Sequence, residues 1–222
     1  MNNIEKAKFR LLDDGDDDDD DDDDDEDTEE EEIKTSGNDI LSVKMLKTRN
    51  ILISGEIKKE LAERTIRQLL LLDDMGKENI QIFIDSPGGD ADAGFAIYDM
   101  IRFVESPVWT IGMGLVASAA AIIQLASPRE RRVGLPNSHY LIHQPLSGIR
   151  GVATDIEIHA RELDKLRAKI NHLISEETNH DWEQVEKDTD RDYWMTADEA
   201  ASYGLISRVI LRQDEIKKIR ND

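Results

Sequence analysis

At 222 residues the chain is long enough for one α/β domain with a full hydrophobic core and short for two. Its net charge of −21 comes mostly from one stretch, since every residue from Asp13 to Glu32 except Gly15 and Thr28 is acidic; setting those 18 carboxylates aside leaves −3. The remaining lysines and arginines form no positive stripe interleaved with aromatics, which argues against nucleic acid as a substrate. The lack of cysteine excludes disulfides, thiol catalysis and thiolate metal sites and agrees with a reducing compartment. No apolar run is long enough for a secretory signal or a membrane span, so a cytoplasmic protein without a membrane partner is expected.

Residues 1–38 are expected to be a disordered acidic tail, because such a block of carboxylates repels itself and buries nothing to offset the entropy of ordering. A globular composition begins near Asp39 and the folded domain is expected to span 39–212, with 213–222 a charged C-terminal tail. Within it, Asn50–Gly55 reads as a short buried strand ended by glycine, and residues 57–72 carry apolar side chains at helical intervals. The pattern repeats. Ile80–Asp85 reads as a strand, Ser86-Pro87-Gly88-Gly89 as a turn, and Ala91–Val104 as a helix. Val108–Gly112 is a further strand, and Ala119–Leu125 a small apolar helix.

Successive β and α units of this kind predict an α/β fold with a largely parallel sheet. After strands near Arg132–Leu135 and Tyr140–His143 comes the longest predicted helix, over about 153–177. It sets Ile156, Leu163, Leu166, Ile170, Leu173 and Ile174 along one stripe. A helix this long with so narrow an apolar seam is expected to pack on a partner subunit as well as on its own core.

Three segments bring together residues able to do chemistry. In Asp85-Ser86-Pro87-Gly88-Gly89-Asp90, a strand ends in Pro-Gly-Gly and enters a helix; glycine torsions can there aim free backbone N–H groups at an anionic oxygen. The same turn is found as plain structure. In Gly112–Ala121, Ser118 stands where a strand leads into an apolar helix, and the helix N-terminus there stabilises an alkoxide or an oxyanion. Taken alone it also reads as an N-cap serine. The spacing is not the Gly-x-Ser-x-Gly elbow of α/β-hydrolases.

A serine nucleophile needs a base. His159 and His172 fall in the long helix and His180 in a polar loop. His143 ends an apolar strand, where catalytic side chains project from a sheet edge, and His139, in the preceding turn, is its rival. Asp188, Asp190 and Asp192 alternate, and position alone does not choose a third member among them. Neither a helical His-x-x-x-His pair nor a calcium-loop pattern is present, so no metal or other cofactor is expected.

With these segments assembled, the chain from about Ile51 to Val209 resembles the Clp protease proteolytic-subunit family of serine peptidases. The resemblance rests on DSPGGDADAG (Asp85–Gly94), GMGLVASAAA (Gly112–Ala121), LPNSHYLIHQP (Leu135–Pro145), ATDIEIHAR (Ala153–Arg161) and DTDRD (Asp188–Asp192), in that order. It implies a crotonase-like spiral of ββα units with a long handle helix. It further implies a triad of Ser118, His143 and Asp192, and an oxyanion hole from the amides of Gly89 and Ala119.

The family also implies two stacked heptameric rings, of one chain or mixed with a sibling subunit, enclosing a chamber. An AAA+ unfoldase feeds such chambers with unfolded proteins, which are cut to peptides. Asp190 and Arg191 match a pair that bonds across the rings. Three departures stand out: Ala119 follows the serine where the family usually has a larger residue, Val152 replaces a common glutamine, and the acidic tail replaces the pore-loop segment. The rival readings are a catalytically silent ring partner and an acyl-CoA hydratase or isomerase on the same fold; neither needs an intact Ser-His-Asp set.

Overall fold

The computed structural model describes residue 41 and residues 44–219; the acidic run and the boundary near residue 38 lie outside the described residues. Three parallel strands form the frame: β1 (Asn50–Ser54), β2 (Ile80–Ser86) and β3 (Val108–Ala117). Their in-register pairs run Ile51 to Ile82 to Thr110, and Ile80, Ile82 and Ile84 of the central strand are completely buried. The crossovers are helices α1 (Lys59–Met75) and α2 (Ala91–Phe103), as a parallel pairing requires. Helix α1 buries Leu61, Ala62, Thr65, Leu69 and Leu72, one face at helical spacing. It begins two residues later than the periodicity suggests, because the backbone of Ile57 is engaged in an isolated bridge to Gly89. Asp90 caps α2 by accepting the Ala93 N–H at 2.7 Å.

The strand predicted to stop at Gly112 continues to Ala117, and this is the main departure from the sequence reading. Between the pairs Ile84–Gly112 and Ser86–Val116, four residues of β3 span the length of two residues of β2. The excess is taken up in a kink at Gly114, whose φ is +53°. Before the kink β3 pairs with β4 (Arg132–Gly134), and after it with β5 (His139–Ile142). One strand thus serves two different neighbours on the same side. Beyond β4 lies β7 (Arg208–Val209), and β5 pairs antiparallel with β6 (Tyr193–Thr196).

Helix α3 (Ala119–Gln124) follows β3 and is buried along its whole length. Its one polar side chain is half matched: Gln124 Nε2 donates to the carbonyls of Thr110 and Val133 at 3.3 and 3.2 Å, while its buried Oε1 accepts from no described group. The longest helix, α4 (Ala153–Thr178), is buried only at Ile170, Asn171, Ile174 and Thr178, so its C-terminal third docks on the core while Ile156 and Ile158 stand 42% and 48% exposed. Asn179 ends it in the left-handed conformation. Helices α5 (Trp182–Asp188) and α6 (Ala197–Tyr203) complete the core, the latter opened by a Thr196–Glu199 capping box. Of the segment set apart as a charged tail, Gln213–Ile219 forms α7, and Ile216 is buried with Trp109, Ile111, Val133 and Ile210 in a second small cluster. Among the described residues no helix is long and apolar enough to cross a membrane.

Helix α4 is fastened to the sheet by Arg132, which is 1% exposed at the start of β4. Its Nε donates to the Ser127 carbonyl at 2.6 Å, Nη1 to the Glu177 carbonyl at 3.0 Å, and Nη2 to the Glu177 carboxylate. Glu177 also pairs with Arg102 of α2 at 2.9 Å. Removing it leaves two carbonyls unpaired and the Glu177 carboxylate with only the half-exposed Arg102, so Arg132→Ala is expected to cost about 3 kcal/mol. Arg102→Ala, at a half-exposed side chain, should cost under about 1 kcal/mol. Thermal unfolding of the two variants at one protein concentration checks the ranking.

Candidate active site

Ser118 links β3 to α3 with φ +57° and ψ −121°, a conformation costing a non-glycine residue about 1–3 kcal/mol. The side chain makes no cap hydrogen bond, so this serine does not serve as an N-cap. The strain is held from both sides. The Ser118 N–H donates to the Leu141 carbonyl of β5 at 2.9 Å, and its carbonyl accepts from Ala121 at 2.9 Å. Against it lies Gly88, where a Cβ would come within 2.6 Å of both the Ala117 oxygen and the Ser118 Cβ, at a φ of +91°. Only glycine fits there.

The turn that includes Gly88 is itself fixed to Ile57, whose N–H donates to the Gly88 carbonyl and whose carbonyl accepts from Asp90, both at 2.8 Å. In a parallel bridge of this form the middle residue turns its own amide to the other side. The Gly89 N–H accordingly meets no acceptor among the described residues, and neither does that of Ala119 at the first position of α3. Both residues line a cavity of about 820 Å³ that also takes in Pro87, Ser118, Ile142 and His143.

Strand register decides which aspartate meets His143. In the antiparallel pair of β5 and β6, Ile142 lies opposite Tyr193, and one step further sets His143 opposite Asp192 with both side chains on one face. The His143 Nδ1 to Asp192 Oδ1 distance is 3.1 Å. The pairing is extended by the Gln144 N–H, which donates to the Thr189 carbonyl at 2.6 Å, while Thr189 Oγ1 donates to Asn171 of α4 at 2.8 Å. The other two aspartates are occupied elsewhere. Asp188 accepts from Tyr203 at 3.0 Å, and burial and that neighbouring charge push the Tyr203 hydroxyl well above its usual range. Asp190 lies 3.6 Å from Arg167 and its carbonyl accepts from Gln144. Arg191 is exposed.

His139 begins β5, at the far end from His143, and pairs with Leu115 and Thr196. The remaining histidines have local partners: His172 stacks on Trp182, His180 on Tyr203, and His159 Nε2 lies 2.7 Å from Ser147 Oγ. Among the described residues no group of three or more metal-ligating side chains exists.

A family model for Clp protease matches residues 32–213. The chain belongs to the Clp protease family. It is 62% identical over 82% of its length to the ATP-dependent Clp protease proteolytic subunit 2 of Treponema denticola, covering 92% of that protein. The subunit of the same description from Treponema pallidum is 56% identical over the same shares. A solved structure of a ClpP1 point mutant from Listeria monocytogenes superposes with a TM-score of 0.74 at 45% identity, over 78% of this chain and 98% of that one. The chain has the Clp protease fold, and its activity is that of a serine-type endopeptidase. The match to the family model begins well before Ile51, where the sequence resemblance was placed.

One residue that shapes the site went unnoticed in the sequence. Asp85, at the end of β2, accepts the Leu115 N–H at 3.0 Å, and a Cβ on Gly114 would come within 2.5 Å of the same carboxylate oxygen. Asp85 thereby props the kink that aims Ser118. Asp85→Ala leaves the Leu115 amide unpaired and should lower kcat for small peptides on the order of 10-fold or more through misplacement. Asp85→Asn keeps an oxygen acceptor and should stay within about 3-fold. Steady-state hydrolysis beside a thermal melt separates misplacement from unfolding.

Proposed function

We propose that Ser118 is the nucleophile, His143 the general base and Asp192 the group that fixes the imidazole, with the amides of Gly89 and Ala119 receiving the oxyanion. The observation that supports this most is the 3.1 Å contact of His143 with Asp192 beside a serine held at positive φ in the same cavity. With Nδ1 engaged, Nε2 is the nitrogen left for proton transfer. As Ser118 Oγ bonds to the peptide carbonyl carbon, its proton passes to Nε2 and the carbonyl π electrons move onto the oxygen, opposite the two amides. Collapse breaks the C–N bond, and His143 gives the proton to the departing amine. Water then repeats the sequence, forming the carboxylic acid and restoring Ser118.

Ser118→Ala should lower peptide hydrolysis by on the order of 10³-fold or more, and Asp192→Asn should also lower it sharply by mis-setting the tautomer. Assays of purified variants with fluorogenic apolar peptides test both. Wild-type turnover in Ser118→Ala ends the assignment.

We further propose that the chain works as a ring-forming proteolytic subunit in the cytoplasm, two heptamers stacked, supplied with unfolded protein by an AAA+ unfoldase. The half-bare α4 supports a contact between subunits, and the names of the Treponema relatives support the link to ATP. Asp190 and Arg191 are the proposed contacts between rings. Asp192 is 61% exposed in the single chain, so water weakens its hold on His143. A subunit laid over the Asp190–Asp192 loop would strengthen that hold, which couples assembly to activity. Arg191→Ala is therefore expected to sediment as smaller species and to lose activity in proportion; a fully assembled variant would remove Arg191 from this role.

A further inference from the structure

The cavity beside Ser118 has an apolar floor and a charged wall on α4. Its floor is made by Ala119, Ile122 and Ile142 with Ile170 and Ile174 of α4. Its wall is the edge of α4 that carries Glu162, Lys165 and Lys169. These cations differ in their surroundings. Lys165 Nζ lies 2.7 Å from Glu162, so the two charges largely cancel. Lys169 has no carboxylate within ion-pair distance among the described residues. Its ammonium instead lies 3.6 Å from the ring centre of Phe95, a residue 6% exposed on α2. A cation held on an aromatic face keeps its full charge and loses much of the freedom of a lysine side chain. The position is exposed but next to the buried Ile170, one helical turn nearer the docked end of α4 than Lys165.

Two further carboxylates line the same cavity, Asp90 and Asp92. Asp90 is committed to capping α2 through the Ala93 N–H at 2.7 Å. Asp92 lies in the first turn of the same helix, where the positive end of the helix dipole offsets it. Lys169 is thus the cation in the cavity whose charge is not already answered.

We infer that Lys169 is a specificity-determining residue, which pairs with an acidic side chain of the peptide held next to the apolar residue in the pocket. The inference rests on the assignment of Ser118 as nucleophile, since it takes the cavity beside that serine as the peptide's seat. Glutamate reaches a point charge of this kind with a flexible stem, and glutamine, of the same shape, does not carry the charge to match.

The test uses the full-length protein and a set of fluorogenic peptides, apolar at the cleaved residue, with Glu, Gln or Lys placed at each flanking position in turn. At one flanking position the wild type should cut the Glu peptide about three- to five-fold better than the Gln peptide in kcat/KM, through KM, the scale of a partly solvated ion pair. The ratio should fall toward one at high salt. Lys169→Met should bring it to one at low salt, Lys169→Glu should favour the Lys peptide, and Lys169→Arg should restore the preference for Glu. Equal rates for Glu and Gln at every position in the wild type, or a preference that persists in Lys169→Met, would overturn the role of Lys169. Fluorophosphonate labelling of the wild type runs in parallel. Protein that is not labelled at Ser118 overturns the nucleophile and this inference with it, whereas labelled protein with a ratio of one overturns only the latter.

Discussion

The placement of Ser118 depends on one constraint in strand β3. That strand must follow β2 along its length and yet change its second neighbour from β4 to β5 on the way. A regular strand cannot do so, because the pleat fixes both spacing and direction. Two extra residues and a left-handed glycine resolve the conflict, and the Asp85 carboxylate fills the amide that the kink leaves open. Everything downstream inherits this offset. Ala117 reaches the end of β5, Ser118 bonds to Leu141, and α3 starts inside the core with no room to slide.

The second half of the site is governed by an antiparallel pair in an otherwise parallel sheet. Strand β6 returns from the far side of α4 and α5 and brings Asp192 to His143 by register alone. Thr189 fixes that return, bonded by its side chain to Asn171 and by its carbonyl to Gln144. Ser118 and His143 therefore hang from adjacent strands, β3 and β5, while Asp192 arrives on a separate segment whose outer side meets solvent. Ser118 is held more firmly than Asp192, since 61% of the Asp192 side chain has no protein around it.

Much of this was legible in the sequence because burial and periodicity write themselves into residue type. The strand cores Ile51–Ile53 and Ile80–Ile84, the helix after the Pro-Gly-Gly turn and the long helix ending near Thr178 follow from the patterns of apolar residues. Ser118 and His143 stood out by their place at the ends of apolar strands. What was not legible depends on register and torsion. The sequence has no mark for a positive φ at Ser118, nor for the partner switch at Gly114, so β3 was read as ending five residues early. The choice among Asp188, Asp190 and Asp192 needed either a relative or the β5–β6 pairing, because three alternating aspartates look alike until their partners are known. Asp85 opens the DSPGGDADAG motif, but nothing in its residue type tells that its carboxylate reaches the Leu115 amide.

Helix α4 has a mechanical consequence of its own. At about 1.5 Å per residue its 26 residues run about 39 Å, and it is clamped at one end by Arg132 and Glu177 while the other end has no core beneath it. It is a cantilever. The wall of the cavity beside Ser118 lies on the span between clamp and tip, from Ile174 to His159. A tilt of about 5° at the clamp displaces the tip, about 36 Å away, by about 3 Å, and shifts the middle of the wall by about half that. Whatever grips the free end therefore sets the width of the cavity, without touching the serine that stands rigid on the opposite side.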